Sequence, residues 1–461
     1  MTNAIPTVAS SGLLGSLPEL RRDRIGLMKR IPTEYGDIAR LRAGLFQVVV
    51  VSGADLCHEV LTEKPDAFVK GFGLSIFARP LLGDGLLTSE RDVHQRNRRL
   101  AAPAFVHSRI AGYARVIAEC VDGHVARLAT LHEADLSVEM MRLTLDVVAR
   151  TLFGAELGPD IDAIGAAITA FLDHVNGEIL SALPIPPAVP TPSNRRFLRM
   201  VRDLDDIVYR IIREHRRRNV DSDDLLSILL AARDPEDGSA FTDRQIRDEV
   251  MTILIAGHET TANGLAWAFS LLDEHPSIRQ RLEAESDAVL GGRRPALEDL
   301  SRLPVAARVF KESLRLFPPV YMVARRAARD VTIGGHDIRK GTLLLVNIVG
   351  MHHRADYFPD PESFQPDRFE PSAERAIPRH AFLPFSAGPR VCIGNHFALM
   401  EGQMALAQLA GRLRFERRNP RAMLVGEPTL TLRPRGGVPV IVHRRRGEVS
   451  ARSALARSAE A

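Results

Sequence analysis

Apolar residues recur at helical spacing through most of this chain. The periodicity predicts helices over residues 90–102, 107–130, 134–153, 160–180 and about 193–218. Thr242-Asp243-Arg244-Gln245 has the capping-box pattern and opens a long helix that runs to about Glu274. A further helix over 304–316 is stopped by Pro318-Pro319. Another starts at Asn395 and ends near Arg414; Phe397, Met400, Met404 and Ala407 form one apolar seam on it, and Leu399, Leu406 and Leu413 a second. Residues 38–52 read as strands and Ala54–Thr62 as a short helix. Asp330–Ile333, ended by the turn signal Gly334-Gly335, and Thr342–Asn347 read as further strands. Leu183–Pro192 carries five prolines and must be a loop or lid. No internal repeat and no linker divides the chain. The pattern predicts a mainly α fold with a smaller β part in a single domain, residues 21–446. Residues 1–20 are expected to be a loose lead-in, and 447–461, rich in Ser, Ala and Arg, a disordered tail.

Composition narrows the class. At 461 residues and 50.8 kDa, with 45% hydrophobic and 26% charged residues, the chain has the balance of a soluble globular protein. The net charge of +4 is a mild basic excess. Basic clusters at Arg213–Arg218 and Arg444–Arg446 lack interleaved aromatics, which argues against nucleic acid as a partner. Met1–Leu20 has no long apolar run, and Val48–Val51 is strand-sized, so neither a secretory signal nor a membrane anchor is expected. Cys57, Cys120 and Cys392 are far apart, without a Cys-x-x-Cys pair. That argues against a disulfide framework or structural zinc and fits a reducing compartment, so a cytoplasmic location is expected.

The most specific chemistry is at Cys392, in Phe385-Ser386-Ala387-Gly388-Pro389-Arg390-Val391-Cys392-Ile393-Gly394. Gly388 and Gly394 permit tight turning and close approach to a flat ligand. Cys392 precedes a predicted helix N-terminus, where backbone N–H groups and the macrodipole favour thiolate over thiol. The long helix carries Ala256-Gly257-His258-Glu259-Thr260-Thr261. A Gly in a helix interior costs ~1 kcal/mol relative to Ala, and a Thr hydroxyl can bond back to an i−4 carbonyl and bend the helix. The segment therefore reads as a local opening with an acid and hydroxyls beside it. Position 262 is Ala, so the His-Glu-x-x-His zinc pair is absent.

The Phe-x-x-Gly-x-Arg-x-Cys-x-Gly loop resembles the haem-binding loop of the cytochrome P450 family, and the Ala256–Thr261 segment resembles that family's oxygen-activating helix. Glu312 and Arg315, at i and i+3, resemble its Glu-x-x-Arg pair, and Arg368 in Pro366-Asp367-Arg368-Phe369 matches the third member of its structural charge network. The resemblance covers roughly residues 35–440. It implies haem b as cofactor, with Cys392 as the iron ligand within a loop shaped by Phe385, Gly388 and Gly394. Thr260 would bond the oxygen under activation, and Glu259 would belong to the proton-delivery route. Haem propionates would be held by His94 and Arg98, four apart on one helix face, by Arg390, and by Arg325, with Arg326 as the alternative register.

The activity implied is that of a soluble bacterial monooxygenase. It would insert one oxygen atom of O2 into a lipophilic small molecule such as a fatty acid, terpenoid or steroid. Electrons would come from a separate ferredoxin or flavodoxin-type donor with its reductase, docking on a face where Arg96 and Arg99 supply positive charge. Apolar lining is expected from Phe72–Leu82, Ile253–Gly257, Val320–Ala324 and Leu430–Leu432, with 183–192 as an access lid. The rivals are a peroxide-driven peroxygenase and a non-enzymatic haem sensor or carrier; the Glu259-Thr260 pair argues against both.

Overall fold

A computed structural model describes residues 4–10, 12, 14–44, 46–71, 73–158, 160–179, 181, 184–218 and 224–445. The major helices, in chain order, are α1 (Arg24–Tyr35), α2 (Arg91–Ala101), α3 (His107–Leu128), α4 (Leu136–Leu152), α5 (Asp160–Ile179), α6 (Pro192–Arg218), α7 (Asp243–Glu274), α8 (Pro276–Leu290), α9 (Pro304–Leu316) and α10 (Asn395–Arg412). A five-stranded sheet lies beside them. It comprises β1 (Ile38–Ala43), β2 (Phe46–Val51), β3 (Phe68–Lys70), β4 (Val323–Ala327) and β5 (Leu343–Val346), in the order β1-β2-β5-β4-β3. The C-terminal part adds β6 (Leu413–Arg417), β7 (Gly426–Pro428), β8 (Leu432–Pro434) and β9 (Pro439–Arg444); β7 pairs with β8, and β6 with β9.

α7 is the axis of the molecule. Its capping box forms as predicted: Thr242 Oγ1 accepts from the Gln245 N–H at 3.3 Å, and Gln245 Oε1 accepts from the Thr242 N–H at 2.9 Å. The helix is buried around most of its circumference, as a helix at the centre of a large core must be. α4 lies against it, closely at Gly257: a Cβ there would sit 3.1 Å from Val148 Cγ2, so that the valine would have to give way by a few tenths of an ångström. The helix runs unbroken through Gly257, so the local opening expected from the sequence is not a break in the backbone. About two turns further along α7, Phe310 of α9 is wedged between two glycines. A Cβ on Gly264 would be 3.0 Å from its ring and one on Gly402 of α10 2.2 Å.

Three further expectations need correction. The N-terminal stretch is not a loose lead-in: the Val8 N–H donates to Arg40 O at 2.8 Å, the Arg40 N–H to Pro6 O at 2.7 Å, and Leu17–Arg22 is helical. The helix predicted over Ala54–Thr62 is α-helical only to His58 and widens to a π-turn over Glu59–Glu63. The helix from Asn395 ends at Arg412, and Leu413 begins β6 instead of extending an apolar seam. The predicted tail, 447–461, lies outside the described residues, as do Leu183 of the Pro-rich stretch and Phe72 of the expected lining. Among the described residues no helix is long and apolar enough to cross a membrane.

Candidate active site

The loop carrying Cys392 is closed by backbone bonds. The Cys392 N–H donates to Phe385 O at 3.0 Å, and the Val391 N–H to Gly388 O at 3.0 Å. Gly388 has φ +71°, and a Cβ there would lie 1.9 Å from Leu61 O, so only glycine fits. Gly394 has no such constraint, since a Cβ would meet nothing nearer than Phe105 at 3.7 Å. Its part is electrostatic: its N–H bonds to Cys392 and favours thiolate. The net effect on the free thiol nonetheless differs from the sequence expectation. Burial raises its pKa and outweighs both the Gly394 N–H and the nearby Arg98 guanidinium, which lower it. The side chain is desolvated by surrounding protein and yet exposed, the combination found when a residue faces an internal recess. A metal ion bound to the sulfur would displace the proton.

α7 shows the same signature. Between buried flanks, Ala256 is exposed and Gly257 and Thr260 are half-buried, giving one open stripe in the middle of a core helix. Thr260 Oγ1 donates to Ala256 O at 2.8 Å, the i−4 back-bond expected from the sequence. Glu259 faces elsewhere. It is buried and accepts from Thr431 Oγ1 at 2.8 Å. Desolvation pushes its pKa up to about 7, opposed by the Thr431 bond and by the Arg433 charge. The acid and Thr260 are thus sequence neighbours that do not share a hydrogen bond.

Five basic side chains converge near the loop: Lys70, His94, Arg98, Arg325 and Arg390. His94 is pushed down to about 3, first by burial and then by the charges of Arg390, Lys70, Arg98 and Arg325. It is therefore neutral, a hydrogen-bond donor and not a cation. Lys70 is pushed down to about 6 by burial and by Arg390, and Arg325 down to about 10 by burial and by Arg390. Arg390 donates to Ser89 O at 3.0 Å and pairs with Glu90; Arg98 donates to Val391 O at 2.7 Å. Lys70 was not anticipated; its signal was a lysine inside an otherwise apolar three-residue strand. Strand alternation separates the two candidate arginines, leaving Arg325 within this group and Arg326 exposed. Repelling cations at low dielectric fit an anionic ligand. With an accessible thiol and an open stripe on the central helix, the residues present suit a flat, carboxylate-bearing, iron-containing group.

Behind the loop, Glu312 and Arg315 form a fully buried bidentate pair at 2.7 and 2.8 Å. Arg315 also donates to the carbonyls of His352, Pro361 and Ser363. Arg368 approaches Glu312 at 3.4 Å, a charge contact more than a hydrogen bond. His352 Nε2 accepts the Leu383 N–H at 2.9 Å, which links this network to the segment leading into the Cys392 loop.

A family model for cytochrome P450 matches residues 7–438, nearly the whole chain. The chain belongs to the cytochrome P450 family. Cyclooctat-9-en-7-ol 5-monooxygenase of Streptomyces melanosporofaciens is 37% identical over 403 residues, covering 87% of each chain. Cyclooctatin synthase of the same organism is 35% identical over 412 residues, covering 88% of this chain and 89% of that one. Pentalenene oxygenase of Streptomyces avermitilis is 34% identical over 383 residues, covering 82% and 84%. The protein is a haem-thiolate monooxygenase with haem b as cofactor, using O2, a lipophilic organic substrate and electrons from a redox partner.

One expectation about that partner is not met. Arg96 and Arg99 are both paired with the buried Asp234, at 3.0 and 2.8 Å, and Arg99 also with Glu236 at 2.7 Å. These contacts neutralise the positive charge they were expected to offer. The expected lining is mixed: Phe77, Leu81, Leu82 and Ile253–Ile255 are packed in the core, whereas Ala256, Gly257, Val320, Met322–Ala324 and Leu430 retain accessible surface.

Proposed function

We propose that this cytochrome P450 hydroxylates a cyclic terpenoid in the cytoplasm, with a ferredoxin or flavodoxin-type protein as electron donor. The observation that carries the substrate class is the similarity, over more than four-fifths of the chain, to enzymes named for cyclooctatin and pentalenene chemistry. The apolar surface left open at Val320, Met322–Ala324 and Leu430 suits such a ligand. The free, widely spaced cysteines support a reducing compartment.

Cys392 would hold the haem iron, its sulfur bonded by the Gly394 N–H. Arg98, Arg325, Arg390 and His94, joined by Lys70, would hold the propionates, and Phe385 and Gly388 would keep the loop closed. Bound haem supplies reductive activation of O2, one oxygen atom entering the substrate and the other leaving as water. Glu259, poised near neutrality, exchanges protons at working pH. Thr260 presents a hydroxyl on the open face of α7 and would position a proton there.

The reading is tested by titrating the purified haem protein with cyclic terpene hydrocarbons and alcohols, fatty acids and steroids while following the Soret band. Micromolar blue shifts with terpenoids, and hydroxylated product on adding ferredoxin and reductase, are expected. Shifts and turnover confined to fatty acids or steroids would overturn the substrate class.

A further inference from the structure

Glu259 is reached from outside its own helix by a turn that the family resemblance does not mention. Thr429–Thr431 connects β7 to β8 and is fixed on several sides. Its own closure is made by the Thr429 N–H and Oγ1, which both donate to Thr431 O at 2.9 Å. Tyr321 OH donates to Thr429 O at 2.7 Å and accepts from Arg24 Nη1 at 2.5 Å. The Leu432 N–H donates to Pro319 O at 2.9 Å, and Trp267 Nε1, about two turns along α7 from the acid, donates to Leu432 O at 3.2 Å. The indole itself is stacked on Phe317 at 3.9 Å between centroids. Every anchor is buried or nearly so, so the turn has little freedom. From its last residue, Thr431 Oγ1 donates to Glu259 Oε1 at 2.8 Å and accepts from Asn263 Nδ2 at 3.4 Å.

We infer that Thr431 is a positioning residue for Glu259: its hydroxyl, held by the β7–β8 turn, fixes the carboxyl during proton delivery. This rests on the role proposed above for Glu259. The direction of the bond matters. A hydroxyl that donates to a carboxylate stabilises its ionised form and so keeps the acid able to release a proton despite burial. Other groups bearing on Glu259 are Asn263 of α7, Arg433 of β8 and Asp173 of α5. Arg433 bonds Glu427 at 2.8 Å and Asp173 at 3.0 Å, and those two carboxylates are the solvent-reaching end of the array. Asp173 opposes ionisation of Glu259 and Arg433 favours it, whereas Thr431 is a neutral donor whose bond adds to neither charge.

The test is infrared titration of the haem-bound protein. The protonated-carboxyl band of Glu259 is assigned by its loss in Glu259→Gln, and its midpoint is compared in wild type, Thr431→Val and Thr431→Ser. Val is nearly isosteric and removes the donor. We expect the midpoint to rise by roughly one pH unit in Thr431→Val and to return in Thr431→Ser. Hydrogen peroxide should increase at the expense of product in Thr431→Val alone. An unchanged midpoint in folded, haem-replete Thr431→Val overturns the inference. If Glu259→Gln stays fully coupled while the midpoint still shifts, the proton-delivery role fails and the positioning of the carboxyl stands.

Discussion

Removal of the Arg315 guanidinium should be among the most damaging single changes outside the Cys392 loop. Arg315 makes two bonds to Glu312 and three to backbone carbonyls, and both side chains are fully buried. In Arg315→Met the Glu312 carboxylate keeps the Gln365 N–H at 2.9 Å and the Arg368 contact at 3.4 Å. The carbonyls of His352, Pro361 and Ser363 each lose a donor. Breaking a buried pair from one side costs about 3–5 kcal/mol, against a total stability of ~5–15 kcal/mol for a typical domain. A Glu312→Met/Arg315→Met double variant removes the stranded carboxylate but leaves the three carbonyls, and now the Gln365 N–H, without partners. It should recover part of the loss, with a coupling of about 1–3 kcal/mol.

Urea unfolding provides the assay, followed by far-UV circular dichroism and by emission of Trp267, the single tryptophan. The Leu383–His352 bond joins the network to the haem loop, so haem should be lost before the helices unfold. A loss under about 1 kcal/mol in Arg315→Met, or strict additivity in the double variant, would refute the reasoning.

Thr260→Ala should retain normal haem content and substrate affinity while diverting electrons to hydrogen peroxide, measured as peroxide formed per reduced nicotinamide consumed; unchanged coupling would count against the relay. Glu249 gives a pH prediction. Burial pushes its carboxyl up to about 7, with Leu86 N–H and Asn97 Nδ2 bonded to it at 3.1 and 2.7 Å. The native state keeps this proton to about pH 7, whereas the unfolded chain loses it near ~4.3. The native state therefore binds more protons across that window, and this group's contribution to stability falls as pH rises through it. Glu249→Gln removes the titration and keeps an acceptor oxygen at the site. The variant should gain stability relative to wild type between pH 5 and 8, by up to about 3 kcal/mol, measured as the difference in urea midpoints at the two pH values; a pH-independent difference would contradict the assignment.

Local patterns carried the long helices and the Cys392 loop, because periodicity, the Thr242–Gln245 box and the glycine spacing are short-range signals. α8 was legible in principle, with Pro276 at its start and Gly291 left-handed at its end, but its weak amphipathicity gave no periodic cue. The site's electrostatics were another matter. Arg96 and Arg99 looked free because Asp234, their counter-ion, is 135 residues from Arg99. The partner of Glu259 is 172 residues away in a three-residue turn. The choice between Arg325 and Arg326 depends on which face of β4 each occupies, a fact of strand register. Lys70 joins the cation group only because β3 pairs with β4 and brings it opposite Arg325. The bias towards thiolate expected at Cys392 is present in the Gly394 N–H, but in the free thiol burial, a tertiary quantity, outweighs it and the Arg98 guanidinium together.

The central claim is that Cys392 is the haem ligand. The carbon monoxide difference spectrum of the dithionite-reduced protein tests it most directly, with Cys392→His as its control. The account predicts a strongly red-shifted Soret band in the wild type, lost in Cys392→His at comparable haem content. A wild-type band characteristic of imidazole-ligated haem, or a red-shifted band that survives in Cys392→His, would contradict it.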